Sequence, residues 1–510
     1  WSSDVCSSDL TAGSVAAETL QPPSPAARRL PTVLVAVVLA AVVLASRLPF
    51  LGPGLGLHSD AGALLTAAHE IHRTGEYHPS RFPGYPVHEY ALSYLVALGP
   101  TAINLATALC SVAAAVFLGL TLRTLAPRGH WALGALAFAM APAVYVSSTV
   151  IYDYVWAAAL VLAGLYAALR GWDLVAGGLL GLATGCRLTS ATMIAPLWLI
   201  VLARHSGGRR TLTSCLASGA IMGIVAGACY SPLLVRYGLR FIRAYPDAIS
   251  TAPNQVLRWL TIDLLGPVGF GAVLLGLAVQ LVIRLRSRRR SSGAAPTPTS
   301  PQADLARSGW ITAAWALPAL VYLGVFLAMP HRLEYLIPVV FLTILLLARH
   351  LERRLFAGVC LALILSPFLW VPTWRAPIRW NHLQRQQQAK FLQDVLQKAA
   401  DSEGRTLVFS GRSDLLLLHA AQLYLWPNAG CEYHPQVVWH DGSPVVLQMD
   451  LHSRRGGGLV RIAHFRDRQS MKQAAQEGFK MAYLPTAREW YLRLGGFDLA
   501  DLGARPFVGE

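Results

Sequence analysis

The 510-residue chain is poor in charge, in lysine and in cysteine. Charged residues make up 14% of it and hydrophobic residues 54%, and its mean hydropathy is positive at +0.44. These values exclude an ordinary soluble protein. Of the seven cysteines, five fall in apolar segments and Cys431 stands alone in the C-terminal region. The sequence therefore predicts no internal disulfide in that region.

What the chain has in abundance is apolar runs of a length that can span a bilayer. We predict eleven spans, at residues 30–46, 100–122, 131–147, 154–169, 173–186, 190–203, 212–230, 264–284, 309–328, 335–349 and 355–372. The predicted fold class is thus an α-helical polytopic membrane protein with about eleven transmembrane helices. From Arg375 onward the composition changes, and a small extracytoplasmic α/β C-terminal domain is expected.

The net charge of +16 is explained by membrane topology. Alternating the spans places seventeen arginines in short segments on one side, as the positive-inside rule requires. The N-terminus is then inside and the C-terminal domain outside, and no nucleic-acid partner is expected. Scarce lysine beside abundant Ala, Gly and Leu is typical of a high-GC bacterial source, so we expect a bacterial cytoplasmic (inner) membrane protein.

Three regions follow from these patterns. Residues 1–29 combine WSSDVCSSDL, which resembles the translation of a sequencing-library adapter, with a small, polar stretch predicted to be disordered. Residues 30–372 form the transmembrane domain, with a polar outer loop at 47–99. Residues 373–510 form the C-terminal domain, with a polar helix at 381–400 and buried strands at 406–410, 459–465 and 480–484.

The outer loop at 47–99 concentrates polar chemistry. Its stretch from His58 to Tyr90 contains two arginines, five histidines and four carboxylates, which are those of Asp60, Glu70, Glu76 and Glu89. A helix at 61–74, capped by Ser59 or Asp60 and ended by Gly75, is predicted, and a second at 87–98, ended by Gly99, is expected to lie on the membrane surface.

A divalent metal is possible in this loop but is not our expectation. Its candidate ligands are His69, His72, Glu76 and His78, which show no closed four-ligand spacing. We expect no cofactor.

Arginines on the predicted outer face are informative because topology does not explain them. They are Arg47, Arg73, Arg81, Arg187, Arg236, Arg240, Arg243, Arg258 and Arg332. Each alone can extend to the headgroups and have no further role, but as a group facing the side of Asp60 they indicate a site for an anionic headgroup such as a lipid phosphate. Arg187 also separates two apolar runs of about fourteen residues, and short broken segments often line cavities.

A sugar linked to a polyprenyl phosphate suits this layout. Its leaving group is already an anion, so cationic residues suffice and no general acid is needed, whereas glycosidases need two carboxylates. One carboxylate can act as base for the acceptor hydroxyl. Asp60 lies nearest the first span, and a role as a helix N-cap alone is the alternative.

Three segments resemble the GT-C superfamily of membrane glycosyltransferases, in particular the bacterial protein-mannosyltransferase and aminoarabinose-transferase types. They are SDAGALLTAAHEIHRTGEYHPSRFPGYPVHEY, GLLGLATGCRLTSA and HRLEYLIPVVF, and the resemblance covers about residues 30–372. It implies a polyprenyl-phosphate sugar donor, inversion at the anomeric carbon and Asp60 as catalytic base. Donor phosphate would be held by Arg81, Arg187, His331 and Arg332.

We expect further substrate contacts from Tyr85, Glu89, Arg236, Arg240, Glu334 and Tyr335. Membrane lipid is an expected partner. Protein O-mannosyltransferases carry Asp-Glu where this chain has Asp60-Ala61. This difference disfavours a protein as the acceptor and leaves a glycan or a lipid as the acceptor.

Three alternatives remain open at this point. A transporter or lipid flippase would place charges mid-span and show an internal repeat, and neither is clear. An O-antigen ligase or polymerase would carry its main polar loop late in the chain. A non-catalytic envelope assembly protein would be favoured if Asp60 lay far from every outer arginine.

Overall fold

A computed structural model describes most of the chain. The described residues are 25–52, 54, 56–125, 130–205, 208–243, 252–288, 309–328, 330, 332–369, 377–425, 430–440, 443–465, 468–492 and 497–508. Of the residues predicted to be disordered, 11–24 lie outside them, whereas 25–29 are helical and the prediction was wrong there. His331 and the Ser291–Ala303 stretch, whose composition predicts a flexible linker, also lie outside them.

Helices dominate the first 365 residues. In chain order they are α1 (Pro25–Arg47), α2 (Ser59–Thr74), α3 (Pro86–Leu95), α4 (Pro100–Leu125), α5 (Trp131–Met140), α6 (Pro142–Ser147), α7 (Tyr154–Arg170), α8 (Asp173–Cys186), α9 (Ile194–Arg204), α10 (Arg209–Tyr237), α11 (Arg240–Arg243), α12 (Pro253–Arg258), α13 (Pro267–Arg288), α14 (Gly309–Ala328), α15 (Ile337–His350) and α16 (Arg353–Leu365).

The fold class predicted from the sequence is confirmed: the chain has the fold of an α-helical polytopic membrane protein. In the described part of the chain, six helical stretches are long and apolar enough to cross a membrane. They involve α1, α4, α10, α13, α14 and α15, the last with the 3-10 turn that precedes it. Each of the other five predicted spans coincides with shorter helices.

The short spans are broken by identifiable residues. The predicted span at 131–147 is interrupted at Ala141, because Pro142 starts a new helix and cannot continue the hydrogen-bond ladder of α5. Between α8 and α9 the backbone of Arg187 is extended and a 3-10 turn covers Leu188–Met193. The sequence prediction that Arg187 separates two short segments is therefore confirmed.

Two boundary predictions were wrong. Helix α10 continues to Tyr237, seven residues beyond the predicted end of its span, because Pro232 is accommodated inside it. It therefore enters the Ser231–Pro246 stretch, whose basic and aromatic residues had predicted a loop along the membrane. The N-cap of α2 is His58, and no side chain caps that helix. Neither Ser59 nor Asp60 is the cap. The predicted end at Gly75 is confirmed, with φ of 74° in the left-handed region that glycine favours.

The C-terminal domain is built on a mixed sheet. Its elements are α17 (Pro377–Ala400), β1 (Arg405–Phe409), α18 (Arg412–Tyr424), β2 (Cys431–His440), β3 (Ser443–Ser453), β4 (Leu459–Ala463), α19 (Arg468–Ala475), β5 (Lys480–Tyr483), α20 (Pro485–Trp490) and β6 (Arg505–Pro506). The strand order is β2-β3-β4-β1-β5-β6, with β1 parallel to β4 and β5. The predicted polar helix and three buried strands are confirmed, whereas the antiparallel hairpin β2–β3 was not predicted.

Helix α2 lies between the two domains. Residues 61–68 are all buried, since α18 of the C-terminal domain packs on α2 and α3 packs beside it. A Cβ at Gly62 would lie 2.9 Å from the backbone oxygen of Leu416, so the two helices approach to backbone contact. The C-terminal domain thus covers the helix that carries Asp60.

Close packing of α8 against α10 generates the first prediction. A Cβ at Gly177 would lie 2.3 Å from the backbone oxygen of Ser218, whereas a Cβ at the adjacent Gly178 meets nothing closer than 3.9 Å. We expect Gly177→Ala to separate the helices and lower stability by about 1–3 kcal/mol. The thermal-unfolding midpoint of each purified variant in detergent measures this. Gly178→Ala is the matched control, and equal midpoints for the two variants would contradict the packing.

Candidate active site

Asp60 lies in the first turn of α2 and binds two arginines. Its Oδ2 atom is 2.5 Å from Nη1 of Arg81 and 2.7 Å from Nη2 of Arg332. All three side chains are about one-fifth exposed. Burial would raise the pKa of Asp60, but the two guanidiniums outweigh it and hold the pKa below its ordinary value of 3.8. The carboxylate is therefore ionised at neutral pH.

A second carboxylate lies deeper. Asp153, at the start of α7, is fully buried, and its Oδ2 atom is 2.5 Å from Nη1 of Arg187. Its Oδ1 atom is 4.0 Å from Nη2 of Arg81. Arg81 therefore lies between both carboxylates and connects the two ion pairs.

These five residues form one continuous arrangement, which we call the ion chain: Arg332, Asp60, Arg81, Asp153 and Arg187. Charges of opposite sign alternate along it, with three guanidiniums against two carboxylates. Ions buried to this extent are tolerated only when they are paired. One positive charge in excess remains within the chain itself.

Tyrosines surround the buried end of the ion chain. The Arg187 guanidinium carbon is 3.8 Å from the ring centre of Tyr154, 4.8 Å from that of Tyr335 and 5.5 Å from that of Tyr85. The Tyr85 hydroxyl also accepts a hydrogen bond from Nε of Arg81 at 2.9 Å. Cation–π contacts of this kind stabilise a desolvated guanidinium, so Arg187 is neutralised on one side by Asp153 and held by rings on the others.

A small cavity opens beside these rings. Its lining includes Tyr154, Arg187, Thr189, Glu334 and Tyr335, and its volume is about 20 Å³, which is room for about one water molecule. Glu334 makes no ion pair within 4 Å with any residue that the structure describes. The predicted substrate contacts Glu334 and Tyr335 therefore lie at one cavity together with Arg187.

Several buried polar atoms near the ion chain lack a hydrogen-bond partner among the described residues. They are the hydroxyls of Tyr152 and Tyr154, Oδ1 of Asp153 and Nη1 of Arg332. Leaving such atoms unpaired costs free energy. Of these four residues Tyr154 lines the cavity, whereas Asp153 and Arg332 belong to the ion chain and Tyr152 directly precedes Asp153.

Glu89 has a different environment. It is fully buried, and its carboxylate accepts hydrogen bonds from the Tyr77 hydroxyl, from the Ser80 amide at 2.7 Å and from the Tyr85 amide at 3.0 Å. Burial raises its pKa despite these donors. Its contacts hold the turn between α2 and α3, and so place Arg81 and Tyr85.

Other predicted site residues lie elsewhere or outside the description. Arg236 lies 3.5 Å from a ring nitrogen of His78, and Arg240 is exposed on α11; neither belongs to the ion chain. His331 lies outside the described residues. Within the described ranges, no three His, Cys, Asp or Glu side chains are grouped to hold a metal ion. The candidate ligands His69, His72, Glu76 and His78 therefore do not form such a group.

Sequence analysis missed Asp153. The positive-inside argument considered only arginines, although the same alternation of spans puts 148–153 on the side of Asp60. A census of outer-face carboxylates would have found it. Its pairing with Arg187 joins positions 34 residues apart and depends on how α7 and α8 pack.

The fold and the ion chain define a polytopic membrane protein with a charged, largely enclosed site beneath a small α/β domain. The sequence matches no protein-family model, and no curated protein is significantly similar to it.

Solved structures that are similar to the chain include GT-C glycosyltransferases, the superfamily that the sequence resembles. ArnT from Cupriavidus metallidurans bound to undecaprenyl phosphate has 14% identity and a TM-score of 0.48 over 83% of this chain and 98% of that one. The Archaeoglobus fulgidus oligosaccharyltransferase in the apo form has 12% identity and a TM-score of 0.46 over 77% and 64%. Arabinosyltransferase EmbB from Mycobacterium smegmatis has 15% and 0.40 over 77% and 35%. At these scores the similarity carries no part of the argument about activity.

Different burial of the two carboxylates generates the second prediction. Asp153→Asn leaves the buried Arg187 without a counter-charge, so we expect a loss of stability of about 3–5 kcal/mol. Asp60→Asn should cost less, because Asp60 and both of its partners are partly exposed to solvent. Thermal-unfolding midpoints of the two variants in detergent measure the order. A greater loss for Asp60→Asn would show that the outer pair, rather than the inner one, stabilises the site.

The lowered pKa of Asp60 generates the third prediction. A carboxylate with a folded-state pKa below its unfolded value stabilises the fold above the unfolded pKa and loses that contribution as pH falls through the folded one. The difference in thermal midpoint between wild type and Asp60→Asn should therefore stay constant from about pH 8 to about pH 5 and narrow below about pH 4. If the difference already narrows near pH 6, the pKa of Asp60 is raised and the two ion pairs do not control it.

Proposed function

We propose that the protein is a membrane glycosyltransferase that moves a sugar from a polyprenyl-phosphate donor to an acceptor on the outer face of a bacterial cytoplasmic membrane. The observation that carries this proposal is the ion chain: an ionised Asp60 between two guanidiniums, in a site with an excess of arginine and unpaired polar atoms. The resemblance of the sequence to GT-C enzymes points the same way.

Arg81 and Arg332 are the proposed phosphate ligands. Both present guanidiniums at the accessible end of the ion chain, where they bind the Asp60 carboxylate in the structure. A phosphate offers the same kind of oxygen acceptors as a carboxylate, and arginine binds both in bidentate geometry. These cations would stabilise the polyprenyl phosphate as it leaves, so that no proton donor is required.

Arg187 has a more indirect role in this scheme. Asp153 already neutralises it, and three tyrosine rings surround it. We therefore assign it, with Asp153, to holding Arg81 in place. Glu334 and the hydroxyls around the cavity are the proposed contacts to a single hydroxyl group of the sugar, since the cavity has room for about one water molecule and a hydroxyl can both donate and accept.

Asp60 is the proposed general base, with inversion at the anomeric carbon. A single positioned carboxylate can remove the acceptor proton as the new glycosidic bond forms. The acceptor is a glycan or lipid, or with less support a protein, and no cofactor is required by this scheme.

The alternatives have less support from the geometry. A non-catalytic assembly protein is the hypothesis that a remote Asp60 would favour, and Asp60 is 2.5 Å from the nearest arginine. A transporter or flippase for lipid-linked glycans would need charges along a path through the spans, whereas the ion chain joins segments at helix ends. It remains the second outcome of the experiment below.

The fourth prediction tests Asp60 directly. Purified wild type and Asp60→Asn are given a panel of polyprenyl-phosphate sugars and crude envelope acceptor, and release of polyprenyl phosphate is followed beside donor binding. We expect the variant to bind donor and to lose turnover by roughly 10²–10⁴-fold, the usual contribution of a general base.

Glu70→Gln is the matched control, since Glu70 lies on the same helix and pairs only with the exposed Arg73 among described residues. It should turn over as wild type does. Wild-type turnover by Asp60→Asn would remove Asp60 from catalysis. Donor binding without release by wild type, in the presence of every acceptor fraction, would favour the flippase.

A further inference from the structure

One arginine of the C-terminal domain is buried against two loops of the membrane domain. Arg385, on α17, is 1% exposed. Its Nη1 donates to the carbonyl oxygen of Thr149 at 2.9 Å, and its Nη2 donates to that of Phe50 at 2.5 Å. A single guanidinium thus joins two backbone positions that are 99 residues apart in sequence.

Each of these positions leads directly to a carboxylate of the ion chain. Phe50 precedes Asp60 by ten residues, and Thr149 precedes Asp153 by four. The distance between the two carbonyls is fixed by the rigid planar fork of the guanidinium. Arg385 is therefore placed to set the spacing of the two segments that carry Asp60 and Asp153.

The first of these segments also approaches α17 beyond Phe50. A Cβ at Gly54, whose φ is +64°, would lie 3.5 Å from Cβ of Ala389. The carbonyl of Leu57 then accepts a hydrogen bond from Nε2 of Gln388 at 3.4 Å. The chain between α1 and α2 is held against one face of α17 at three points.

The second segment contacts the first on the side of the ion chain. Tyr152 is 4% exposed, and its hydroxyl would lie 3.4 Å from a Cβ at Gly56. Tyr152 immediately precedes Asp153, so displacement of either segment would be transmitted to both carboxylates.

Arg385 is held without an acidic partner. No carboxylate among the described residues lies within 4 Å of it, and burial lowers its pKa to about 10. Burying a cation without a counter-charge costs free energy even where carbonyl oxygens accept its hydrogen bonds. The ammonium group of lysine has three rotatable donors on a flexible stem, so it would not fix the spacing of the two carbonyls as the planar guanidinium does.

We propose that Arg385 is a positioning residue through which the C-terminal domain sets the relative placement of Asp60 and Asp153. The structural part of this inference stands alone, whereas its catalytic consequence rests on the proposed function. The domain thereby becomes part of the working site rather than an appended module.

The fifth prediction concerns Arg385→Lys, which keeps the charge but not the fork. Amide hydrogen exchange is measured by mass spectrometry in detergent, in peptides that contain Phe50 and Leu57 and in peptides that contain Thr149 and Tyr152. We expect faster exchange in both sets. We also expect kcat to fall roughly tenfold to a hundredfold, as displaced reacting groups produce, with donor affinity within about threefold of wild type.

Two further variants sharpen the experiment. Arg379→Lys is the matched control, because Arg379 is exposed on the same helix, and it should change neither measurement. Gln388→Ala should speed exchange in the first set of peptides alone.

Three results would overturn the proposal. The first is unchanged exchange in either set of peptides for Arg385→Lys. The second is faster exchange with unchanged kcat, and the third is a joint loss of thermal stability, donor binding and kcat, which a purely structural role produces. If wild type turns over no donor, the proposed function fails, and the exchange data alone decide whether Arg385 holds the two segments.

Discussion

Alternating charges along the ion chain constrain the segments that carry Asp60, Arg81, Asp153, Arg187 and Arg332. The fully buried Asp153 requires Arg187, and Arg81 connects that pair to Asp60 and so to Arg332. These residues come from four separate regions of the sequence. They can be buried together only when each charge lies beside a charge of opposite sign. Two breaks in the helices serve this arrangement, because an extended Arg187 between α8 and α9 and a 3-10 turn ahead of α15 bring polar side chains to one point.

The C-terminal domain belongs to the same constraint. Helix α2 was predicted as part of a polar outer loop, yet its residues 61–68 are all buried, with α18 and α3 packed against it. Its run of Ala, Gly and Leu is therefore explained by protein contact, including the backbone approach at Gly62. Because α17 also holds both carboxylate-bearing segments through Arg385, domain and bundle form one packed unit around the ion chain.

Sequence patterns predicted the helices well and the contacts poorly. Apolar run length predicted where the helices lie, although the last helix ends at Leu365 rather than at 372, and Gly75 ended α2 as expected, because these features act locally. Arg81 and Arg332 were predicted to lie on one face with Asp60, since charge counting assigns a side of the membrane. It does not assign a partner, so the Arg187–Asp153 pair depended on helix packing that no local pattern encodes. The hairpin β2–β3 was missed because Pro435 and several polar residues interrupt the apolar alternation of β2.

A lowered pKa is at first sight wrong for a general base, because it marks a carboxylate with little affinity for a proton. The two guanidiniums that lower the pKa of Asp60 are, however, the proposed ligands of the donor phosphate. When that phosphate takes them, Asp60 loses much of its ion pairing in a site of low polarity, and its proton affinity rises. Donor binding and activation of the base would then be one event. An empty site would hold its carboxylate inactive, and water would meet no competent base until a donor is bound.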